Sequence, residues 1–290
     1  MKPAAFKYFA PRGVEEALAL LVAHGEDGKV LAGGQSLVPA MNFRLARPAA
    51  LIDINRIAAL DYLREEGGTL RIGALARHAR FETPVAGGAL GGFLPRIARH
   101  IAHFPIRARG TFCGSLAHAD PASEWCLVAA TLDAEFVVAS QHRTRVLGPG
   151  DYFVGALTTT LEPDELLTET RLPLLDDRWR SGFAEFSRRT GDYALAMTAA
   201  FLRIEDGCVV EARVGIGGAA ECPARIEAAE AALVGSDGGL EARRQAGALA
   251  AAAIEPLEDV QAGADYRRHL VRAMVERALT QAMAIEAAAA

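Results

Sequence analysis

The sequence predicts an α+β fold, with a two-part N-terminal domain followed by a smaller C-terminal domain of strands under three helices. Three observations lead to this prediction. The first 55 residues follow a β-α-β order, residues 56–175 mix strands and helices, and residues 176–290 place two strands ahead of three helical segments. With 290 residues, 51% of them hydrophobic, the chain can give each part a core. We therefore expect domains at 1–175, divided at residue 55, and at 176–290.

The β-α-β unit is built around one amphipathic helix. Residues 13–24 place Val14, Ala17, Leu18 and Leu21 on one face, and Gly25 ends the helix. Short apolar runs at 29–32 and 50–54 predict the two strands that flank it.

The middle region alternates strands and helices. Residues 70–75 alternate in polarity, as in an edge or hairpin strand. Helices are predicted at 93–103 and 125–132, and a strand at 134–139. A break is expected at 174–180, where a proline is followed by a charged run.

The C-terminal region begins with a strand pair at 194–204 and 209–217, joined by a turn at 205–207. From Pro223 onward the pattern is helical, with helices predicted at 223–234, 240–253 and 266–284.

Composition and charge exclude several classes of protein. The net charge of −5 argues against a nucleic-acid binder, and no run of 18 apolar residues predicts a transmembrane segment. The first residues do not form a signal peptide, so a cytoplasmic location is expected. The four cysteines have no metal-site spacing, which predicts no iron–sulfur cluster or structural zinc on this chain.

Two glycine-centred runs, at 31–39 and 111–121, carry the functional signal. Glycine lets a backbone approach a ligand and offer successive N–H groups to an anion, and both runs add hydroxyl side chains. Two such loops suggest one ligand held from two sides, with a dinucleotide diphosphate as the candidate. A plain tight turn remains the alternative for the first run, which has neither Rossmann nor P-loop spacing.

Three polar residues follow the second run. Asp120, before Pro121, suits a helix cap, and His118 is expected to hydrogen-bond within the loop because no second metal ligand is spaced near it. Glu124 could accept a hydrogen bond from a ribose or ribityl hydroxyl, or could simply be solvated. No pairing of a nucleophile with a base indicates hydrolysis.

Four stretches share a pattern with one known family. They are Lys2-Pro3-x-x-Phe6-x-Tyr8, the run 32–37, residues 109–121, and Arg189-Thr190-Gly191-Asp192-Tyr193-Ala194. Together with Ile216-Gly217-Gly218 and Pro223-x-Arg225, they make essentially the whole chain resemble the FAD-binding medium subunits of molybdenum hydroxylases, the carbon monoxide dehydrogenase and xanthine dehydrogenase family.

The resemblance implies a vanillyl-alcohol-oxidase (PCMH) type FAD-binding domain, followed by a C-terminal domain of the carbon monoxide dehydrogenase flavoprotein type. It assigns two segments to the FAD diphosphate and its surroundings: Ala32, Gly33, Gly34, Gln35, Ser36 and Leu37, and Thr111, Cys113, Gly114 and Ser115, with Ala117 and Asp120 close by. Ile101 and Leu167 would line the adenine or flavin pocket. Glu124 would meet a sugar or ribityl hydroxyl, and Asp192 and Tyr193 would lie at the isoalloxazine ring, with Tyr193 covering one face. On the residues alone, Tyr193 could equally be a half-buried strand tyrosine.

The chain departs from the family pattern in two places. Cys113 stands where the family usually has a glycine, which adds a thiol next to the expected diphosphate site. Ala184 and Glu185 stand where many members carry a lysine, and a lost cation near the flavin would alter its electronics.

The resemblance implies an oxidoreductase subunit that carries FAD and transfers electrons. A large molybdopterin-binding partner would hydroxylate the substrate, a small partner would carry [2Fe–2S] clusters, and FAD would pass electrons to NAD⁺, a quinone or oxygen. A dimer of heterotrimers is the expected assembly. Two alternatives stay open: a self-sufficient FAD oxidoreductase with its own small substrate, and a non-enzymatic assembly subunit whose FAD site has decayed. The substrate and the electron acceptor are not identified by the sequence.

Overall fold

A computed structural model describes residues 2–284 and confirms the α+β prediction. The N-terminal unit is a parallel sheet in the order β1-β3-β2, formed by β1 (Lys7–Phe9), β2 (Gly28–Leu31) and β3 (Ala50–Asp53). Helix α1 (Val14–His24) buries Ala17, Leu18 and Leu21, as its periodicity predicts, and α2 (Leu37–Asn42) follows β2.

The second unit is a five-stranded antiparallel sheet in the order β4-β5-β10-β6-β7. Its strands are β4 (Leu63–Glu66), β5 (Thr69–Gly73), β6 (Glu135–Ala139), β7 (Thr144–Leu147) and β10 (Leu166–Pro173). A two-stranded ribbon of β8 (Phe153–Gly155) and β9 (Thr158–Thr159) lies beside it. The helices are α3 (Gly88–Ala98), α4 (Phe104–Arg107), α5 (Phe112–His118), α6 (Glu124–Thr131) and α7 (Pro149–Tyr152).

The third unit is an antiparallel sheet in the order β11-β12-β13-β14, packed against three helices. It contains β11 (Trp179–Phe186), β12 (Ala196–Glu205), β13 (Cys208–Gly217) and β14 (Ala224–Arg225). The helices are α8 (Glu227–Leu233), α9 (Leu240–Ala253) and α10 (Ala264–Ala284). The predicted turn between β12 and β13 is present, with positive φ at both Asp206 and Gly207, as a tight hairpin requires.

Three sequence predictions of elements are wrong in part. The helix expected at 93–103 begins and ends five residues earlier, at Gly88 and Ala98, and the chain turns at Ala102, whose φ is +40°. The break expected at 174–180 is shorter, because β11 already begins at Trp179. The helix expected from Pro223 begins at Glu227, since Ala224 and Arg225 first pair with β13 as a strand.

Alternate residues of β12 face different parts of the molecule. Met197, Ala199 and Phe201 belong to the core that continues into the second unit, whereas Ala196, Ala200 and Leu202 belong to the core under α8–α10. Phe201 packs on Phe93 of α3 with ring centroids 4.5 Å apart. The third sheet is therefore a wall shared by two cores. None of the helices in residues 2–284 has the length and apolar character needed to cross a membrane.

Candidate functional site

The first glycine run forms the turn between β2 and α2. Gly34 has φ of +71°, which a residue with a side chain rarely adopts, and the helix begins at Leu37. Within the described residues, the N–H groups of Gly33, Gly34, Gln35 and Ser36 donate to no protein acceptor. Four successive unpaired donors are unusual unless solvent or a ligand accepts their hydrogen bonds.

Two side chains hold the carbonyl groups of this turn on the protein side. Gln35 Nε2 donates to the Gly33 carbonyl at 2.9 Å, and Asn55 Nδ2 donates to the Ala32 carbonyl at 2.8 Å. Because these two carbonyl oxygens already accept hydrogen bonds, an approaching anion meets the N–H groups of the turn and not the carbonyl oxygens.

The second glycine run is a helix and not the flexible loop that the sequence suggested. Thr111 caps α5, its hydroxyl accepting from the Gly114 N–H at 3.1 Å. The Ser115 carbonyl accepts from the Ala119 N–H and from the Cys126 thiol. The N–H of Phe112 donates to the Ala76 carbonyl, which fixes the start of α5 to the preceding segment.

At Gly33 the first run meets the two residues that lead into the second run. A Cβ atom on Gly33 would lie 2.6 Å from the carbonyl oxygen of Arg109 and 2.6 Å from the Cα atom of Gly110, closer than real Cβ atoms come. Arg77 also joins the runs, because its guanidinium donates both to the Arg109 carbonyl and to Asn55. The sequence predicts two loops on one ligand, and the structure brings the first run against the residues that lead into the second.

A buried histidine packs against this junction. His78 is 4% exposed, and its Nδ1 accepts from the Trp125 indole N–H at 2.9 Å. Burial, together with the charges of Arg77 and Arg107, lowers the pKa of His78 to about 4, so the ring is neutral at physiological pH. A Cβ on Gly110 would lie 2.5 Å from His78 Nε2. Sequence analysis identified neither Asn55, Arg77 nor His78, because isolated polar residues carry no pattern that marks them.

A cavity of about 640 Å³ opens between β2, α5 and the β9–β10 connection. Five of the predicted residues line it: Ala32, Cys113, Gly114, Ala117 and Leu167. The rest of its wall includes Lys29 and the segment 157–159, which the sequence did not indicate. Glu165, also in the wall, is paired with Arg145, which holds the pKa of that carboxyl below its usual value despite its burial.

Cys113 turns its thiol toward the protein core. The sulfur contacts the Thr170 hydroxyl at 3.3 Å and donates to the Ile72 carbonyl at 3.6 Å, both on the five-stranded sheet behind α5. Burial raises the pKa of this thiol to about 12, so it stays protonated. The sequence raised the concern of a thiol beside an anion, and the side chain is directed into the core instead.

Asp192 and Tyr193 form a second group of predicted residues, away from the cavity. Asp192 and Tyr193 lie exposed on the loop between β11 and β12, and Tyr193 is 66% exposed. The same loop packs on the segment after α3, since a Cβ on Gly191 would lie 2.7 Å from the His103 ring. Ile101, two residues before His103, is buried in the core and does not line the cavity beside α5.

Two expectations for the segment after α5 are wrong. Asp120 does not cap α6: its carboxylate accepts from the Ala122 N–H, and Ser123 caps the helix instead. His118, in the last turn of α5, makes no side-chain hydrogen bond to any residue in 2–284.

Glu124 is the first residue of α6 and is partly buried. Partial burial is the largest cause that raises the pKa of Tyr193, and the negative charges of Asp120 and Glu124 add to it.

These features fit a dinucleotide cofactor. Unpaired backbone donors suit the diphosphate, the neighbouring cavity has mixed polar and apolar walls, and an exposed tyrosine ring stands at the second group.

Comparisons with known proteins agree with this geometry. Residues 4–175 match the family model for the FAD binding domain in molybdopterin dehydrogenase. Residues 181–282 match the model for the carbon monoxide dehydrogenase flavoprotein C-terminal domain.

Characterised relatives match over nearly the whole chain. The nicotine 6-hydroxylase medium subunit of Paenarthrobacter nicotinovorans is 39% identical, covering 97% of this chain and 99% of that protein. The carbon monoxide dehydrogenase medium chain of Hydrogenophaga pseudoflava is 36% identical, with 98% and 99% covered.

Solved structures have the same fold. Carbon monoxide dehydrogenase from Hydrogenophaga pseudoflava, in a form that lacks the Mo-pyranopterin moiety of the molybdenum cofactor, superposes with a TM-score of 0.94 at 38% identity, covering 98% of this chain and 99% of that one. Quinoline 2-oxidoreductase from Pseudomonas putida 86 gives a TM-score of 0.92 at 35% identity, with 97% and 98% covered. This chain therefore belongs to the family of FAD-binding medium subunits of molybdenum hydroxylase-type dehydrogenases, and is an oxidoreductase subunit.

Proposed function

We propose that this chain carries electrons through FAD from the [2Fe–2S] clusters of a small partner subunit to NAD⁺, a quinone or oxygen. A large partner with a molybdenum cofactor would hydroxylate the substrate. The observation that carries the proposal is the junction of the two glycine runs at Gly33 and Gly110, with unpaired N–H donors beside the cavity.

In this proposal the N–H groups of Gly33, Gly34, Gln35 and Ser36 bind the diphosphate from one side. The first turn of α5, with Thr111, Gly114 and Ser115, faces it from the other. Gly33 allows the two segments to come close enough for both to reach one diphosphate. Leu37 and Cys113 would position these segments. Leu37 is the first residue of α2, and the Cys113 thiol contacts Thr170 on the sheet behind α5.

The cavity would hold the adenosine end, with Ala32, Ala117 and Leu167 in its wall. Glu124 would accept from a ribityl or ribose hydroxyl, with Asp120 close by. Asp192 and Tyr193 would flank the isoalloxazine ring, where an exposed phenol can exclude water. Ile101 would act from the core, by positioning the segment on which the Tyr193 loop rests. When bound, the flavin supplies the electron carrier, and the protein supplies orientation and electrostatics.

Purification of the chain with excess FAD tests cofactor binding. We expect a yellow protein with a two-peaked flavin absorbance spectrum and one FAD per chain. A colourless protein with native circular dichroism would favour the alternative of an assembly subunit with a decayed site.

Reduction by a small donor tests the second alternative. The isolated flavoprotein is expected to remain oxidised with small organic donors and to be reduced when the partner subunits and the complex's substrate are added. Turnover by the isolated chain alone would instead support a self-sufficient oxidoreductase.

Co-purification of the native complex tests the assembly. We expect two further subunits, molybdenum and iron in the metal analysis, and a mass equal to a dimer of heterotrimers. The domain division at 1–175 and 176–290 and the cytoplasmic location remain predictions of the same proposal.

A further inference from the structure

The segment 76–78 pairs along its main chain with the residues where the second glycine run begins. The Ala76 carbonyl accepts from the Phe112 N–H at 2.9 Å. Two residues on, the His78 N–H donates to the Gly110 carbonyl at 3.0 Å. These two hydrogen bonds fix the start of the second run to the segment 76–78.

Arg77, the middle residue of this segment, connects it to the first run. Arg77 stands opposite Thr111 in an antiparallel bridge. Its guanidinium donates to the Arg109 carbonyl and to the side-chain oxygen of Asn55. Asn55 Nδ2 in turn donates to the Ala32 carbonyl, in the first run, at 2.8 Å. Through Asn55, one arginine therefore joins the two runs.

Every polar group of the Asn55 side chain has a partner. Its Nδ2 carries two hydrogens and donates to the Ala32 carbonyl and to Asp53 Oδ1, the latter at 2.6 Å. Its oxygen accepts from Arg77. The other carboxylate oxygen of Asp53 accepts from the Tyr8 hydroxyl at 2.6 Å. The amide is therefore held in one orientation, with its acceptor toward Arg77 and its donors toward the first run and Asp53.

The Arg77 guanidinium is hydrogen-bonded only to neutral oxygen atoms. Arg77 is partly buried, and within residues 2–284 it forms no ion pair with a carboxylate, since Asp53 and Asp61 act on it only at longer range. A buried charge is usually compensated by a contacting counter-charge. The unpaired N–H groups of the first run belong to the same junction. A cation and a row of free donors together suit an anion.

We propose that Arg77 and Asn55 are positioning residues, which set the gap between the two glycine runs at the width of one diphosphate. The proposal rests on the proposed function, because it takes the two runs to hold FAD. Arg77 acts through the Arg109 carbonyl and through Asn55, and Asn55 acts through the Ala32 carbonyl. Both residues therefore act on the main chain of the site and not on the phosphates themselves.

The physical basis is that contact and attraction limit the gap in opposite directions. The close approach of Gly33 to Arg109 and Gly110 sets only the smallest separation of the runs. The hydrogen bonds of Arg77 and Asn55 set the largest, because they keep the runs from moving apart. Without them the N–H donors would have to be ordered when the cofactor binds, and that cost lowers affinity.

Titration of the full chain with FAD tests the role of Arg77. Arg77→Met removes the donors, and the dissociation constant of FAD should rise about tenfold, as expected for the loss of a charged hydrogen-bond donor. Arg80→Met is the matched control, because Arg80 lies three residues on and pairs with Asp61 at the surface. Its dissociation constant should equal that of the wild type.

Asn55→Asp tests the second half of the connection. Aspartate has the size of asparagine and still accepts from Arg77, but it has no donor for the Ala32 carbonyl. The dissociation constant of FAD should again rise about tenfold. Because the bond to Arg77 is kept, this loss reports on the carbonyl of the first run.

A double variant separates positioning from a general loss of stability. Gly33→Ala already pushes the runs apart, so adding Arg77→Met should weaken FAD binding little further, to about tenfold below the wild type and not about a hundredfold. Phosphorus NMR of bound FAD gives a second readout. At saturating FAD the two resonances should move toward those of free FAD in Arg77→Met and stay in place in Arg80→Met, whereas a loss of folding stability alone leaves them in place.

The outcomes separate this proposal from the proposed function. If the wild type binds no FAD, the proposed function fails and the positioning role fails with it. If the wild type binds FAD but Arg77→Met and Asn55→Asp match Arg80→Met in affinity and in phosphorus resonances, the positioning role alone is overturned. A double variant that binds about a hundredfold more weakly overturns it as well. Should Arg77→Met fail to fold, Asn55→Asp decides by the same two measurements.

Discussion

At the scale of single residues, Gly33 is constrained by backbone atoms on the side where a side chain would project. The space a side chain would occupy is already filled by the backbone of Arg109 and Gly110. No neighbouring side chain can rotate away to make room, so even one methyl group must push the two glycine runs apart.

Gly33→Ala is therefore expected to weaken FAD binding at least tenfold, about 1.4 kcal/mol, because the two sets of donors would no longer fit one diphosphate. Fluorescence titration with FAD measures this. Gly92→Ala is the matched control, since Gly92 lies in α3 with nothing within 4 Å of the position that an added methyl group would take, and its affinity should equal the wild type. Equal affinity in both variants would contradict a close junction at Gly33.

Sequence reasoning singled out the two glycine runs but not the contacts that hold them. The glycine runs were recognisable because small residues at a ligand leave a compositional trace. Asn55, Arg77 and His78 left none, since each depends on a partner distant in the chain. The direction of the Cys113 thiol was not predictable for a related reason. It depends on helix α5, and the glycine and serine in that segment do not favour a helix.

At the scale of elements, the helices and strands with a strong apolar period were predicted well. α1, α9, α10 and the β12–β13 hairpin follow their patterns. β10 was missed although it is central in its sheet, because its middle residues are polar. Its Glu169 is buried but paired with Arg171 and bonded by the Tyr62 hydroxyl, so a charged strand becomes acceptable only once its partners are known.

Helix α10 reaches across to the loop that carries Tyr193. The Arg267 guanidinium is buried and donates to the carbonyls of Leu195 and Gly218 at 2.9 and 2.8 Å, while it pairs with Asp259. This one side chain joins the helix to the end of the Tyr193 loop and to the turn after β13.

Arg267→Met is expected to lower the free energy of unfolding by about 3 kcal/mol, because it leaves two carbonyls and one carboxylate without their partner. Denaturant titration measures the loss. Arg268→Met, next in sequence, removes a solvent-exposed side chain that pairs with the exposed Asp265, and should change stability by less than about 0.5 kcal/mol. Similar losses in the two variants would show that the buried bonds contribute little.

At the scale of the whole molecule, the two domains that the sequence separates share a wall. β12 contributes alternate residues to each core, and the third sheet has glycines where helices approach on both faces. A side chain on Gly215 would overlap Thr131 of α6, and one on Gly182 would overlap the Ala278 carbonyl of α10. Local sequence patterns predicted the strands and helices of each domain. They did not predict that one sheet contributes side chains to both cores.

A shared wall predicts a single cooperative unfolding transition. Calorimetry of the cofactor-free chain should give one peak, with the calorimetric enthalpy equal to the van't Hoff enthalpy, because neither core is complete without β12. Two resolved peaks would mean that the halves unfold independently.

The alternation along β12 also limits how this chain can be recombined with its relatives. A chimera joined near residue 176 would import a strand whose Met197 and Phe201 positions evolved against another protein's α3 and α6. In a chimera, each face of the sheet should therefore be exchanged together with the helices that pack on it. Grafting the C-terminal half should succeed only when the residues of α3 and α6 that touch β12 and β13 travel with it.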